Sequence, residues 1–426
     1  MNPIGSQNAP SPKVVIPHFM FGGLIWLVVT LLMVFHPTAL TQHFFNPILL
    51  SITHLLVLGW ITMVIFGALY QLIPVIMEVK LFSEKLAIAS FVLLAIGTIL
   101  LAISFWNFTF GNLMFIAGSL IVIAVGFFVA NVLVTAYQST KKSIERTFIV
   151  TAIFWLLFTV LAGLTLAINF GHPFLKPSHL ELLKLHAHAG IVGWFIQLII
   201  GVSSRLLPMF MVSHNLNINK LRIAFYFINS GLIIGIISLF ISLNCSIIIG
   251  VILVFLGVFS YLLFLFEAYQ KRIKKQLDIG MKQSAFSFFL LLIPCVIIFL
   301  LLPNFNIFSA FTLPLSVAYG SVLILGFITS LIMGQTYKTL PFIVWLKVYR
   351  GKIGKLKLPL PKDLYNEKIA VAQLWLFALG IILFLIGVIA SINLLIQLSG
   401  VVLFLSVTLY NFNMLKIIFH QPINIE

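Results

Sequence analysis

The chain has 426 residues, of which 62% are hydrophobic and only 8% are charged. A soluble domain carries about 25% charged residues, so this composition excludes an ordinary cytosolic enzyme, a disordered chain and a collagen-like fibre. The formal net charge of +16 would suit nucleic acid, but the placement of the cations points to a membrane topology instead.

Apolar runs recur along the whole length, each near the roughly 20 residues that let a helix cross a bilayer. In chain order twelve spans are predicted, at about 16–35, 47–70, 87–105, 112–136, 147–169, 182–204, 222–242, 246–266, 284–302, 312–334, 369–390 and 393–415. The expected fold is all-α and polytopic, and the alternating pattern of an outer-membrane barrel is absent. With the N-terminus in the cytoplasm, every Lys and Arg except Lys176 and Lys184 falls on the inner side. The positive-inside rule then predicts both termini in the cytoplasm of a bacterial inner membrane. The lipid bilayer is the expected partner, with anionic headgroups as counter-charge, and no nucleic acid is. The polar stretch Met1 to Pro12 lacks the basic region and cleavage site of a signal peptide, so the first span is expected to stay. Cys245 and Cys295 stand alone in sequence and read as packing residues.

An internal repeat orders the spans. Span 2 carries His54, Gly59, Trp60, Gly67, Gln71 and Pro74. Span 6 carries His188, Gly193, Trp194, Gly201, Arg205 and Pro208 in the same frame, and span 10 carries Ser321, Gly326, Phe327, Gly334, Lys338 and Pro341. The chain therefore reads as a single membrane domain of three four-helix units, 1–143, 144–282 and 283–426, whose second helices surround a pseudo-three-fold axis. The glycines permit close helix approach, and the prolines are expected to end their helices near the inner face. Gln71, Arg205 and Lys338 share one register and are expected to anchor those inner ends, or to form a three-fold polar ring that lines an entry.

Three histidines lie within spans: His54, His186 and His188. An ionisable group in the bilayer interior is costly and is a functional candidate by default. Residues two apart on a helix point about 200° from each other, so His186 and His188 address different neighbours. Neutral imidazole is a good axial ligand for haem iron, whereas the plain alternative is a hydrogen bond to a backbone carbonyl at a helix crossing. The repeated frame favours ligation. His18 and His420 are expected to be solvated.

The run His186-Ala-His188-Ala-Gly190-Ile-Val-Gly193-Trp194 resembles the haem-ligating helix of the cbb-type heme–copper oxidase catalytic subunit. Gly59-Trp60 through Gly67-Ala68-Leu69-Tyr70 and Pro74 is similar to the continuation of that helix. Twelve helices in three pseudo-repeats is also the plan of the heme–copper oxidase subunit I superfamily. The resemblance implies haem b, one or two per chain: His186 on a high-spin haem, and His188 with His54 on a bis-histidine haem. The chain departs from the family in placing the motif on helix 6 rather than helix 10, where Ser321 stands. It also lacks the adjacent histidine pair of the copper centre, and all nine acidic residues fall in loops, tails or helix ends. Proton-pumping oxygen reduction is therefore not expected. Short haem-containing membrane proteins of the NnrS type, linked to nitric oxide responses, are similar in outline, though their His-Glu-Met motif is missing here.

His36, His43, His172 and His179 share the outer face by topology and offer a shallow copper or zinc site, or simply polar turns. Met209, Met211 and His214 offer soft copper ligands or gap-filling. Lys184, beside the HxH run, and Lys176 suit haem propionates or lipid phosphate. Trp60 and Trp194 read as packing residues that flank a cofactor. No catalytic residue is assigned. The expected work is electron transfer or binding of a small diatomic such as nitric oxide, with a redox partner or gas ligand. The opposing reading is a transporter or a copper- or haem-handling protein on the same scaffold.

Overall fold

The computed structural model describes residues 8–140, 142–241, 244–302, 311–352 and 358–422. Every regular element among them is helical, and twelve helices are long and apolar enough to cross a membrane. In chain order they are α1 (Pro12–Phe35), α2 (Pro47–Met77), α3 (Glu84–Trp106), α4 (Asn112–Tyr137), α5 (Ile144–Gly171) and α6 (His179–Met211). There follow α7 (Asn219–Ile241), α8 (Asn244–Gln270), α9 (Ile279–Leu300), α10 (Thr312–Tyr349), α11 (Glu367–Ile389) and α12 (Asn393–Ile418). The protein is thus an all-α, multi-pass membrane protein by architecture. The side chain of Cys245 and the loop at Pro303 lie outside the described residues.

Helix starts follow from capping chemistry, because the first N–H groups of a helix need acceptors that the helix itself does not supply. Ser11 accepts from Lys13 ahead of α1, and Pro12 sits where no N–H is needed. Asn46 accepts from Ile48 and Leu49 ahead of Pro47 in α2. Ser178 and Glu181 form a reciprocal capping box at α6. Asp278 accepts from Met281 at α9. Outward faces stay apolar, as at Leu24, Phe115, Ile233, Val296 and Ile382, which suits hydrocarbon rather than water.

Two compact units emerge. The larger holds α1, α2, α3 and α9 to α12, and the smaller holds α4 to α8. In the larger unit α1 meets α12 where a side chain on Gly23 would strike Asn411, and α9 meets α10 at Gly280 and Gly334. In the smaller unit α7 and α8 approach through Gly231 and Gly250, and α5 and α6 through Gly193 against Trp155. Small residues let helix backbones close in where lipid offers no hydrophobic contrast.

The second helices of the sequence repeat stand apart. Two thirds or more of the most apolar stretch of α2, α6 and α10 is buried, against half or less in the other candidate spans. Each also widens into a π-helical stretch just after the repeat's first position: Leu55–Thr62 after His54, Ala189–Ile196 after His188 and Val322–Ile328 after Ser321. Stretches of π-helix are rare and concentrate at functional sites. All three helices thus carry a π-helical stretch directly after the residue at the same sequence position.

The prolines do not end these helices. Pro74 and Pro208 lie inside α2 and α6, which run on to Met77 and Met211, and Pro341 lies inside α10, which continues to Tyr349. Proline forfeits its own N–H but leaves the chain ahead of it free to stay helical. What stops α2 and α6 is a left-handed residue, Glu78 (φ 56°) and Val212 (φ 55°). The N–H of the next residue then reaches back, Val79 to the Pro74 carbonyl at 3.2 Å and Ser213 to the Pro208 carbonyl at 2.9 Å.

Candidate haem-ligand histidines

His54 sits two turns into α2, at the end of its first α-helical segment. Its Nδ1 donates to the Leu50 carbonyl at 2.8 Å, and its ring stacks on Phe105 of α3 at 4.6 Å between centroids. His188 holds the same position in α6, with Nδ1 donating to the Lys184 carbonyl at 2.8 Å. A backbone carbonyl that takes the Nδ1 proton fixes the tautomer, so Nε2 carries the lone pair. That is the state in which imidazole binds iron, with the carbonyl as its orienting partner. Both rings are half-buried. The donor chemistry of each, taken alone, fits an axial haem ligand.

His186 turns to another neighbour, as the spacing requires. Its Nδ1 donates to the Thr159 carbonyl of α5 at 3.0 Å, and its ring lies where a side chain on Gly163 would stand. His186 and His188 belong to the smaller unit and His54 to the larger. Lys184 is exposed, and its backbone oxygen is already engaged by His188. Lys176 is exposed as well.

The loop histidines are held locally. His36 presents its ring edge-on to Trp106 at 4.9 Å, and His43 accepts the Phe45 N–H at 3.0 Å while stacking on Phe44. His172 closes the end of α5, and His179 packs on Phe170 at 3.8 Å. Among the described residues no group of three or more His, Cys, Asp or Glu side chains is gathered as a metal site would gather them. Met209 and His214 are exposed while Met211 is buried. Gln71 is buried, Arg205 is exposed, and Lys338 pairs with Asp278 at 2.6 Å.

His18 departs from expectation: it is fully buried, not solvated. Its Nδ1 donates to the Val14 carbonyl at 2.8 Å, and its ring meets Tyr70 and Phe91. The physical reason is Gly67 on α2, whose missing side chain leaves the space that the Cβ of His18 fills. His420 is only partly solvated, since its Nε2 meets the Tyr349 hydroxyl at 2.9 Å. Burial, then the nearby Lys416, hold its imidazole below the usual histidine range.

Trp60 and Trp194 are fully buried packing residues. Trp60 stacks on Trp26 and donates to the Thr329 hydroxyl at 3.3 Å, and Trp194 meets Phe128 edge-on. Sequence reasoning passed over the buried amides. In the smaller unit Gln197 and Asn229 pair reciprocally at 3.1 and 2.9 Å, and Trp155 donates to the same Asn229 oxygen. The available signal was a glutamine inside an otherwise apolar run.

No family model matches the chain, and no curated protein matches it.

Proposed function

We propose that the chain is a b-type-haem-binding membrane protein built on the plan of the heme–copper oxidase subunit I superfamily, acting in electron transfer or in binding a diatomic gas such as nitric oxide. The observation that carries this reading is the matched pair His54 and His188. Each sits at the lip of a π-helical stretch, and each has Nδ1 pinned to the carbonyl four residues back.

Bound haem would supply a one-electron iron couple and, where one face stays open, a site for a gas. The protein's share is to hold the ligands. The Leu50 and Lys184 carbonyls keep His54 and His188 in the Nε2 lone-pair tautomer. Phe105 limits rotation of the His54 ring by stacking. His186 is the ligand assigned to a second, high-spin haem, with the Thr159 carbonyl in the same orienting role. Lys184 and Lys176 are the cations assigned to propionates. The proposal places the protein in a bacterial inner membrane with both termini in the cytoplasm, where nearly all its cations then lie. No oxygen-reducing centre is proposed, because the sequence holds no adjacent histidine pair.

The ligand assignment is tested by single substitutions. His54→Ala and His188→Ala are each expected to remove most of the Soret absorbance, whereas His43→Ala in the loop keeps it. Full retention in both span variants would reject the assignment. A colourless wild type that binds copper through the loop histidines would favour the metal-handling alternative.

A further inference from the structure

The third sequence repeat holds buried amide atoms, on Gln283 and Gln335, that the protein itself does not satisfy. Gln283 on α9 is fully buried, and neither its Nε2 nor its Oε1 has a protein partner. Across the α9–α10 contact, Gln335 Nε2 donates to Ser284 Oγ at 2.7 Å while its Oε1 is left over. Ser330 of α10 reaches the Gln283 carbonyl at 3.4 Å, and Ser284 and Ser287 continue the polar line along α9. The line begins at the partly exposed pair Asp278–Lys338, at the start of α9. From Asp278 to Ser287 it climbs about 14 Å at 1.5 Å per residue.

Orphaned amide atoms in the interior are costly, and among the described residues Gln283 is the one buried side-chain amide with both ends open, whereas Gln373 and Asn411 each leave only the oxygen over. Gln197 is equally buried, and both ends of its amide are closed by Asn229. The seam at α9–α10 therefore differs by what it leaves open, not by how deep it lies. The open atoms also specify the ligand. A cation would satisfy Oε1 and leave Nε2, and an anion would do the reverse. A molecule that both donates and accepts is required, and it must be small enough for a helix–helix contact.

We infer that the α9–α10 seam is a binding site for a short file of water molecules, bridging Gln283 and Gln335 and entered beside Asp278–Lys338. Water makes about three hydrogen bonds in such a site, enough to close these amides. The inference does not depend on the haem reading. It makes the third repeat, which has Ser321 where the others have histidine, a hydrated route into the larger unit.

The test uses the full-length protein labelled with 15N-glutamine in detergent or bilayers. Side-chain NH2 signals are followed by NMR after transfer to D2O. Gln283 is assigned by loss of its signal in Gln283→Leu or, independently, in the near-isosteric Gln283→Glu. The Gln283 amide is expected to exchange at least about tenfold faster than that of Gln197, since exchange follows access to water rather than burial alone. Equal protection of Gln283 and Gln197 would overturn the proposal.

Discussion

At the scale of single residues, one hydrogen bond decides what a membrane-embedded imidazole can do. His18, His54 and His188 all give Nδ1 to the carbonyl four residues back, which leaves Nε2 as the basic nitrogen. Their surroundings then separate them. His18 is sealed by Gly67, where an added Cβ would stand 2.6 Å from the Cβ of His18 and 3.2 Å from the Val15 oxygen. Gly67→Val is expected to destabilise the protein by about 1–3 kcal/mol, the usual cost of overpacking, read as a lower thermal midpoint in detergent. His420 works at the surface. Its pKa is depressed from the model-compound value of 6.5, so folding favours the neutral ring. The stability that the neutral ring, partly buried beside Lys416, contributes to the tail is full above about pH 6.5 and is lost as pH falls below it. Hydrogen exchange of the last turn of α12 is expected to quicken from pH 8 to pH 5.5, and His420→Gln to abolish that pH dependence.

At the scale of elements, much of the structure was legible because capping and span length are local. Ser11-Pro12, Asn46-Pro47 and Ser178 through Glu181 announce their helices. The start of α10 at residue 312 and of α12 at 393 agrees with the apolar pattern. The inner ends were not legible, because hydropathy falls before the helix does and a proline looks like a stop. The real stops are Glu78 and Val212 in left-handed geometry, which no local pattern of these residue types predicts. A side chain with a Cβ pays roughly 1–2 kcal/mol there. Glu78→Gly and Val212→Gly are accordingly expected to leave stability unchanged or raise it by up to about 1 kcal/mol. The same change at Leu69, inside α2 and buried, is instead expected to destabilise by about 2–5 kcal/mol. Thermal unfolding of the three variants side by side checks the ordering.

At the scale of the whole molecule, hydropathy alone carries twelve spans and the multi-pass architecture. The candidate site was legible only in part. His54, His186 and His188 stood out as polar residues in apolar runs, but the carbonyls that orient them depend on helix geometry. The partners of Gln197 and the lack of partners at Gln283 depend on packing between helices distant in sequence. The buried state of His18 was missed because it is decided by a glycine on another helix. Charge placement adds a topology that chemistry can read. In a background without Cys245 and Cys295, a membrane-impermeant maleimide is expected to label Lys176→Cys in intact spheroplasts and Lys274→Cys only after permeabilisation. The reverse pattern would invert the proposed orientation. Bound haem is read from absorption spectra. The protein would be purified from haem-replete cells in mild detergent, with oxidised, dithionite-reduced and CO-treated absorption spectra and a pyridine haemochrome count. A b-type spectrum with at least near-stoichiometric haem per chain is expected, with a CO-induced shift if His186 holds an open-faced haem. A colourless, well-folded preparation would contradict haem binding.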